Sequence, residues 1–289
     1  GTTFTIAHPV HRQAPRKRVA QTTDHSRQIP TAATHTPTGT GPRLLIIEDN
    51  PDVMTYLRSG LQGEYTILTA HDGEEGVEKA RREVPDIILC DIMMPRQDGY
   101  AVTTTLKQDE RTSHIPIILL TARADRTSRH NGLQRGADAY LTKPFDEEEL
   151  RIRLQQLIRL RWRLQDKYRR TDLRQVSQTD HADPELRFLK RLEQVVLDHL
   201  DDETFRVEPD LCRAMMMSRP QLYRKLKALR GCSPSEFIRQ VRLQRAQEFL
   251  ARGDLSVQEV AHRTGFRDPS HFARVYKAHY GHNPSQHTI

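Results

Sequence analysis

The chain has 289 residues, 29% of them charged and 36% hydrophobic, which predicts a globular protein of about two domains with some unpacked polar sequence. Its three cysteines show neither paired spacing nor a metal-ligand pattern, which argues against a disulfide framework and a zinc cluster. Without an apolar run near the roughly 18 residues of a membrane span, or a visible signal peptide, we expect a cytoplasmic chain without membrane contact.

The amino-terminal part is polar and carries no hydrophobic period. Residues 7–42 are rich in Thr, Pro, His and Arg. Such a composition cannot bury enough apolar surface to offset the conformational entropy lost on ordering. The sequence therefore predicts a disordered linker over 7–42.

Strand-like and helix-like runs alternate five times over residues 43–150, which predicts βαβ units around a parallel sheet. The runs DIILC and IPIILL are apolar on both faces, as a sheet covered by helices on both sides requires. We therefore expect an α/β domain with a doubly wound, five-stranded parallel sheet. The predicted strands are 44–48, 65–70, 86–90, 115–120 and 139–142, and the predicted helices are 51–62, 73–83, 98–109, 127–136 and 146–168.

The fifth predicted helix continues beyond this domain as an extended helix over 151–170. Its leucine stripe, broken by Arg161, consists of Leu150, Leu154, Leu157 and Leu164. Two interpretations remain open: a last helix that packs on its own sheet and continues as a solvated lever, or a short dimerising coiled coil. Residues 171–182 are predicted to be a second linker.

The remaining residues, 183–289, predict an all-α domain. The predicted helices are near 184–201, 208–216, 219–230, 234–252, 256–264 and 269–280. Two segments repeat the order of amphipathic helix, tight turn and basic helix, which predicts two helix-turn-helix units. This part carries 18 Lys+Arg against 14 Asp+Glu, whereas residues 44–150 carry 12 against 20. The asymmetry weakly indicates a nucleic-acid partner for the helical domain.

Polar residues close four apolar runs in the α/β part: Glu48 and Asp49, Asp91, Thr121 and Lys143. Residues that end the strands of a parallel sheet converge at its carboxyl edge, where ligands bind. Three carboxylates, a hydroxyl and an ammonium at one point indicate a Mg²⁺ site beside a phosphorylatable carboxylate.

Mg²⁺ prefers octahedral oxygen ligands and retains several waters. The expected ligands are Glu48 through a water, Asp49, Asp91 and the backbone carbonyl of Met93. Asp91 is expected to accept the phosphoryl group as an in-line carboxylate nucleophile. Lys143 would neutralise charge on the phosphoryl oxygens, and Thr121 would turn its hydroxyl onto the new phosphate.

The motifs EDN, LCDIMMPRQDGY, LLTA and AYLTKPF resemble the receiver domains of the response-regulator family over residues 43–150. The resemblance implies phosphoryl transfer from a histidine kinase to Asp91, a cis peptide bond before Pro144, and Tyr140 as an aromatic switch partner of Thr121. It also implies an output face on the fourth helix, fifth strand and fifth helix. An aspartyl phosphatase would carry a second Asp where Met93 stands, so we reject that alternative.

The second helix of each helix-turn-helix unit leaves polar side chains outward, where they can contact phosphates or base edges. The expected DNA-binding residues are Arg219, Tyr223, Arg224 and Lys227 in the first unit and Ser270, His271, Arg274 and Lys277 in the second. The stretches SRPQLYRKLKALRGCSPSEFIRQVRL, LSVQEVAHRTGF and YGHNPS resemble the AraC-type DNA-binding domain over 183–289. The resemblance implies recognition helices in successive major grooves, with base-facing positions at Pro220, Tyr223, Arg224, Ser270, His271 and Arg274.

Residues 1–6, GTTFTI, resemble the last strand of a histidine-kinase ATP-binding domain. The resemblance implies a longer parent, a hybrid histidine kinase with an upstream sensor that could be anchored in the inner membrane, so the kinase could act in cis.

We therefore predict a phosphorylation-controlled, sequence-specific transcription regulator that is not itself an enzyme. Phosphorylation is expected to favour a dimer through the helix that joins the domains, and RNA polymerase is a further candidate partner. The alternative is a phosphorelay adaptor whose helical domain binds protein rather than DNA.

Overall fold

The computed structural model describes residues 41–122, 136–173 and 183–287. The chain divides into residues 1–36 and 37–289, and every described residue belongs to the second unit. The predicted kinase-like segment, most of the first linker, most of the fourth predicted helix and most of the second linker lie outside the described residues. Among the helices that are described, none has the length and apolar character to cross a membrane.

The first domain is built on a five-stranded parallel sheet in the order β2-β1-β3-β4-β5, so the predicted α/β class is confirmed. The central strands are buried along almost their whole length, which explains their continuous apolar sequence. The strand order reverses between β1 and β3, the switch point at which such sheets bind ligands. The strands are β1 Arg43–Ile47, β2 Thr66–Ala70, β3 Ile87–Asp91, β4 Ile117–Ala122 and β5 Ala139–Lys143.

Helices cover both faces of this sheet and form two hydrophobic clusters. The described helices of this domain are α1 Pro51–Leu61, α2 Gly73–Glu83, α3 Gly99–Gln108 and α4 Glu147–Arg170. Asn50, Asp72 and Asp98 cap the first three helices, since each side chain accepts a hydrogen bond from a first-turn amide that has no partner within the helix. These caps fix where each chain segment leaves the carboxyl edge of the sheet.

Helix α4 packs on its own sheet and then continues to the second domain. Leu150, Leu154 and Leu157 are buried in the cluster formed with α1 and the sheet, so three leucines of the predicted stripe are occupied within the chain. Most residues of the distal half are exposed, but Tyr168 is only 7% exposed and joins the core of the helical domain, so this half is not a free lever. Arg161, which breaks the stripe, donates to the carbonyl and carboxylate of Asp86 at 2.6 and 2.7 Å.

The second domain is all-α, as predicted. Its helices are α5 Pro184–Asp198, α6 Arg219–Arg230, α7 Pro234–Arg252, α8 Val257–Arg263 and α9 Pro269–Tyr280. The predicted helix at 208–216 is wrong as a single element: two short turns, Val207–Leu211 and Cys212–Ala214, stand in its place. Glu208 is extended there, because a residue before proline is driven from helical geometry.

The second helix-turn-helix unit folds around an aromatic core. Phe266, Phe272 and Tyr276 are buried together, and their tilted rings contact one another in sequence at centroid distances of 5.1 and 5.6 Å. Gly265 forms the turn with φ of +73°, and a side chain there would meet the Leu200 carbonyl oxygen at 2.6 Å. Both the backbone angle and the lack of space require glycine at this turn.

Candidate functional site

The carboxyl edge of the sheet brings the acidic residues of two strand ends together. Carboxylate oxygens of Glu48, Asp49 and Asp91 all lie within 4.8 Å of one another. Glu48 and Asp91 are buried, at 1% and 6% exposure, whereas Asp49 is exposed. Three oxygen donors, one of them open to solvent, fit a hard cation such as Mg²⁺, which keeps some of its waters.

Lys143 enters this cluster from the end of β5. Its Nζ lies 2.8 Å from Glu48 Oε2 and 3.0 Å from Asp91 Oδ1. The peptide bond between Lys143 and Pro144 is cis, as the family resemblance implied. The ammonium therefore compensates part of the negative charge that the three carboxylates gather at this edge.

The protonation of these groups reflects burial and mutual pairing. Burial raises the pKa of Glu48, and the nearby Asp91 charge adds to this, although the hydrogen bond from Lys143 acts in the opposite direction. Burial alone would lower the pKa of Lys143, but its contacts with Glu48 and Asp91 outweigh this and raise the pKa above its ordinary value. Lys143 is thus held as a cation beside Asp91.

Thr121 and Tyr140, the predicted switch pair, lie on neighbouring strands. Thr121 is 5% exposed, and its hydroxyl donates to the carbonyl of Ala122 at 3.2 Å. Tyr140 pairs in register with Leu119, two residues before Thr121, so the two side chains share one face of the sheet. The half-buried Tyr140 ring packs against the hydrophobic cluster on that face.

The loop after β3 is held close to the acidic cluster. Asp98 caps α3 by accepting from the amide of Ala101 at 2.7 Å. A side chain on Gly99 would lie 2.3 Å from the carbonyl oxygen of Asp91, so only glycine allows α3 to begin against the end of β3. Met93, whose carbonyl is an expected ligand, lies in this loop with 72% of its surface exposed.

The two predicted recognition helices, α6 and α9, differ in how freely they face solvent. All four predicted contact residues of α9 are exposed: Ser270, His271, Arg274 and Lys277. On α6, Arg219, Tyr223 and Lys227 are exposed, whereas Arg224 is held by backbone carbonyls of the first domain. The structure therefore places seven of the eight predicted residues at the surface of the described chain.

Sequence reasoning missed Lys225, which is fully buried at 0% exposure. Its Nζ lies 2.8 Å from Glu185 Oε2, donates to the carbonyl of Glu110, and sits 4.5 Å from the centre of the Phe188 ring. A signal was present in the sequence, because Lys225 falls within the helical stripe of Leu222, Leu226 and Leu229. That spacing predicts a buried position for a residue that is rarely buried without a partner.

Two family comparisons agree with this division of the chain. Residues 44–155 match the family described as the response regulator receiver domain. Residues 211–288 match the family described as a helix-turn-helix domain. The chain combines a response regulator receiver domain with an AraC-type helix-turn-helix domain. Both families are regulatory rather than enzymatic, and the receiver domain contains the acidic edge.

The chain matches only part of the length of its curated relatives. It is 30% identical over 243 residues to histidine kinase P4 of Formosa agariphila, an alignment that covers 84% of the chain and 18% of that relative. It is 41% identical over 119 residues to the DNA-binding dual master transcriptional regulator RpaA of Synechocystis, covering 41% of the chain and 49% of RpaA. The chain thus spans less than half the length of either.

Among solved structures, the chain is similar to the receiver domain of the sensor histidine kinase PA1611 of Pseudomonas aeruginosa. The two share 38% identity, and the match covers 41% of the chain and 98% of that domain with a TM-score of 0.39. That structure is described with a magnesium ion coordinated in its active-site cleft.

Proposed function

We propose that this chain is a phosphorylation-controlled, sequence-specific DNA-binding regulator of a two-component phosphorelay, and that Asp91 accepts the phosphoryl group. The observation that carries the proposal is the convergence of Asp91 with Glu48, Asp49 and Lys143 at the carboxyl edge of a receiver sheet. A purely structural ion pair would need one carboxylate for each ammonium, whereas this edge places three carboxylates around the single ammonium of Lys143.

In the proposed reaction, a carboxylate oxygen of Asp91 attacks the phosphorus of a kinase phosphohistidine in line. A new P–O bond forms as the P–N bond breaks, and the imidazole nitrogen keeps the bonding electrons and takes up a proton. Lys143, 3.0 Å from Asp91, would neutralise charge on the phosphoryl oxygens. Thr121 would then redirect its hydroxyl from the Ala122 carbonyl to the phosphate.

Glu48, Asp49, Asp91 and the Met93 carbonyl would hold Mg²⁺ at this edge. When bound, the ion would supply positive charge that stabilises the transferring phosphoryl group. The oxygen-only donor set and the partial exposure of Asp49 support this assignment.

The output would be DNA binding by α6 and α9. Helix α7, which joins the two helix-turn-helix units, has 19 residues. At a rise of about 1.5 Å per residue it spans about 28 Å, close to the ~34 Å of one DNA turn. This length is compatible with recognition helices in successive major grooves, and the exposed basic residues of α9 favour DNA over a protein partner.

The alignment with histidine kinase P4 is longer than either domain and therefore extends over both. This supports a hybrid parent with a phosphodonor histidine in cis. We also propose that the regulator acts in the cytoplasm. We further propose that the phosphorylated form is a dimer that contacts RNA polymerase.

The first test is to map the acceptor with a small-molecule phosphodonor and Mg²⁺, using intact mass and peptide mapping. Asp91→Asn should abolish the added phosphoryl group. Asp98→Asn is the matched control, because it makes the same change seven residues away and asparagine caps helices as well as aspartate does. Unchanged phosphorylation of Asp91→Asn would refute the acceptor assignment.

A further inference from the structure

One face of the recognition helix α6 lies on the receiver domain. Gln221 donates from its side chain to the carbonyl of Arg81 at 2.7 Å, and Arg224 donates to the carbonyls of Glu83 and Arg82 at 2.7 and 3.2 Å. These carbonyls belong to the last turn of α2, where they have no partner within the helix. The negative, carboxyl-terminal end of α2 thus binds the guanidinium of Arg224, a residue that we propose contacts DNA.

A second contact joins the helical domain to the turn between α3 and β4. Lys225 donates to the carbonyl of Glu110, and the Glu110 carboxylate pairs with Arg191 at 2.8 Å. Ser113 donates its hydroxyl to Glu185 at 2.6 Å. Hence a buried lysine of α6 takes one of its partners from the receiver domain.

A partly open pocket between the domains is lined by His114, whose two ring nitrogens have no hydrogen-bond partner among the described residues. Ala228 and Leu229 of α6 contribute to its lining from the other domain. Burial lowers the pKa of His114 well below its ordinary value, and neighbouring cations act in the same direction. The charged groups that face it are Lys107, Asp138, Arg161, Glu185 and Lys225.

Helix α4 completes the contact along the length of α6. Gln165 donates to the carbonyl of Lys227 at 2.5 Å. Arg230 donates to the carbonyls of Tyr168 and Thr171 at 2.8 and 3.1 Å, so it caps the end of α4. The receiver domain and its extended helix therefore contact α6 from its first turn to its last.

The size of the major groove makes this arrangement incompatible with DNA on α6. A helix with its side chains is about 10–12 Å across, and the groove is about 12 Å wide and 8.5 Å deep. A helix seated in the groove has a phosphate backbone on each flank. On one flank of α6 the receiver domain already lies within hydrogen-bond distance of Arg224.

We propose that residues 81–83 and 110–114 form an autoinhibitory docking surface that competes with DNA for α6. The inference rests on the proposed function and adds its regulation: the closed form presents only α9 to DNA. Opening must separate α6 from the docking surface, which shares no residue with the output face that the family resemblance implies on the fourth predicted helix, β5 and α4.

The test uses Glu110→Lys in the full chain, which places a cation opposite Arg191 and Lys225. Glu74→Lys is the matched control, because it makes the same charge change at an exposed site at the start of α2. Amide hydrogen exchange of residues 79–86 and 109–115 reports opening, and gel shifts report affinity for an oligonucleotide selected from a random pool. Faster exchange and DNA binding at least about 10-fold tighter are expected for Glu110→Lys relative to the control, since apparent affinity scales with the open fraction.

The outcomes separate the two proposals. Unchanged exchange in Glu110→Lys would overturn the docking surface, and faster exchange without tighter DNA binding would overturn the competition. If neither protein binds any selected DNA, the proposed DNA-binding function fails, whatever the exchange shows. As a further check on the wild type, saturating DNA should accelerate exchange in 79–86, and continued protection there would also overturn the competition.

Discussion

Replacing Lys225 with methionine should destabilise the helical domain strongly. Lys225 and Glu185 are 0% and 7% exposed, and their charged atoms lie 2.8 Å apart. Burial lowers the pKa of Lys225, and the Glu185 carboxylate opposes this shift. Lys225→Met keeps the volume and the apolar stem but leaves the Glu185 carboxylate buried, with the Ser113 hydroxyl as its remaining hydrogen-bond donor among these contacts.

The magnitude follows from the cost of an unpaired buried charge. Removing one partner of a buried ion pair costs about 3–5 kcal/mol, and the contact of Lys225 with the Phe188 ring would add up to about 2 kcal/mol. Neutralising both partners removes the unpaired charge. The double variant Lys225→Met/Glu185→Gln should therefore recover at least about 2 kcal/mol of the loss.

The assay is urea unfolding followed by circular dichroism at the helical signal. Lys227→Met is the matched control on the same helix, since Lys227 is exposed and its ammonium donates to the nearby carbonyl of Gly231 at 2.9 Å. The control should lie within about 0.5 kcal/mol of wild type. A similarly small change for Lys225→Met, or a double variant less stable than the single one, would refute the reasoning.

Three further predictions concern the metal, DNA and pH. Mg²⁺ at 100 times its dissociation constant should stabilise the wild type against thermal unfolding by about 2.7 kcal/mol. Asp49→Asn should lose most of this stabilisation. An equal stabilisation of wild type and Asp49→Asn would contradict the metal site. Arg274→Ala should weaken binding to a selected operator by about 1–3 kcal/mol and relax its sequence specificity. Lys277→Ala should weaken binding to every DNA sequence alike and reduce the slope of log affinity against log salt concentration by about 1. In the closed form burial lowers the pKa of His114, whereas in the open form we expect its ordinary pKa of ~6.5. The open form therefore binds a proton more readily, and the closed form loses stability as the pH falls below ~6.5. Exchange in 109–115 should therefore accelerate from pH 7 to pH 5.5 in wild type and less so in His114→Gln; identical profiles would count against this account.

The receiver fold was predictable from sequence because its signals are local. The apolar runs that become β3 and β4 can be buried only in a sheet covered on both faces, and parallel strands must bring their carboxyl ends to one edge. Asp91, Thr121 and Lys143 could therefore be placed together from their positions alone. The tight turn of the second helix-turn-helix unit was likewise predicted, and Gly265 forms it with φ of +73°.

Sequence reasoning fell short where contacts between domains decide the structure. The distal half of α4 has a polar, arginine-rich sequence that suits a solvated helix, yet α6 packs along it. Arg224 stays a predicted DNA contact, because its position on α6 is outward within the helical domain, but its contacts with the receiver domain were not predicted. Nothing local in the sequence shows that the last turn of α2 supplies carbonyls to it. Pairings of this kind depend on two surfaces distant in sequence.

The most direct test of the central claim is a gel-shift titration of a selected operator with the full chain, with and without a small-molecule phosphodonor and Mg²⁺. Asp91→Ala is titrated in parallel, and phosphorylation of the wild type is verified by intact mass. The account predicts that the donor tightens binding by the wild type and leaves Asp91→Ala unchanged. Equal affinity of phosphorylated and unphosphorylated wild type would contradict it.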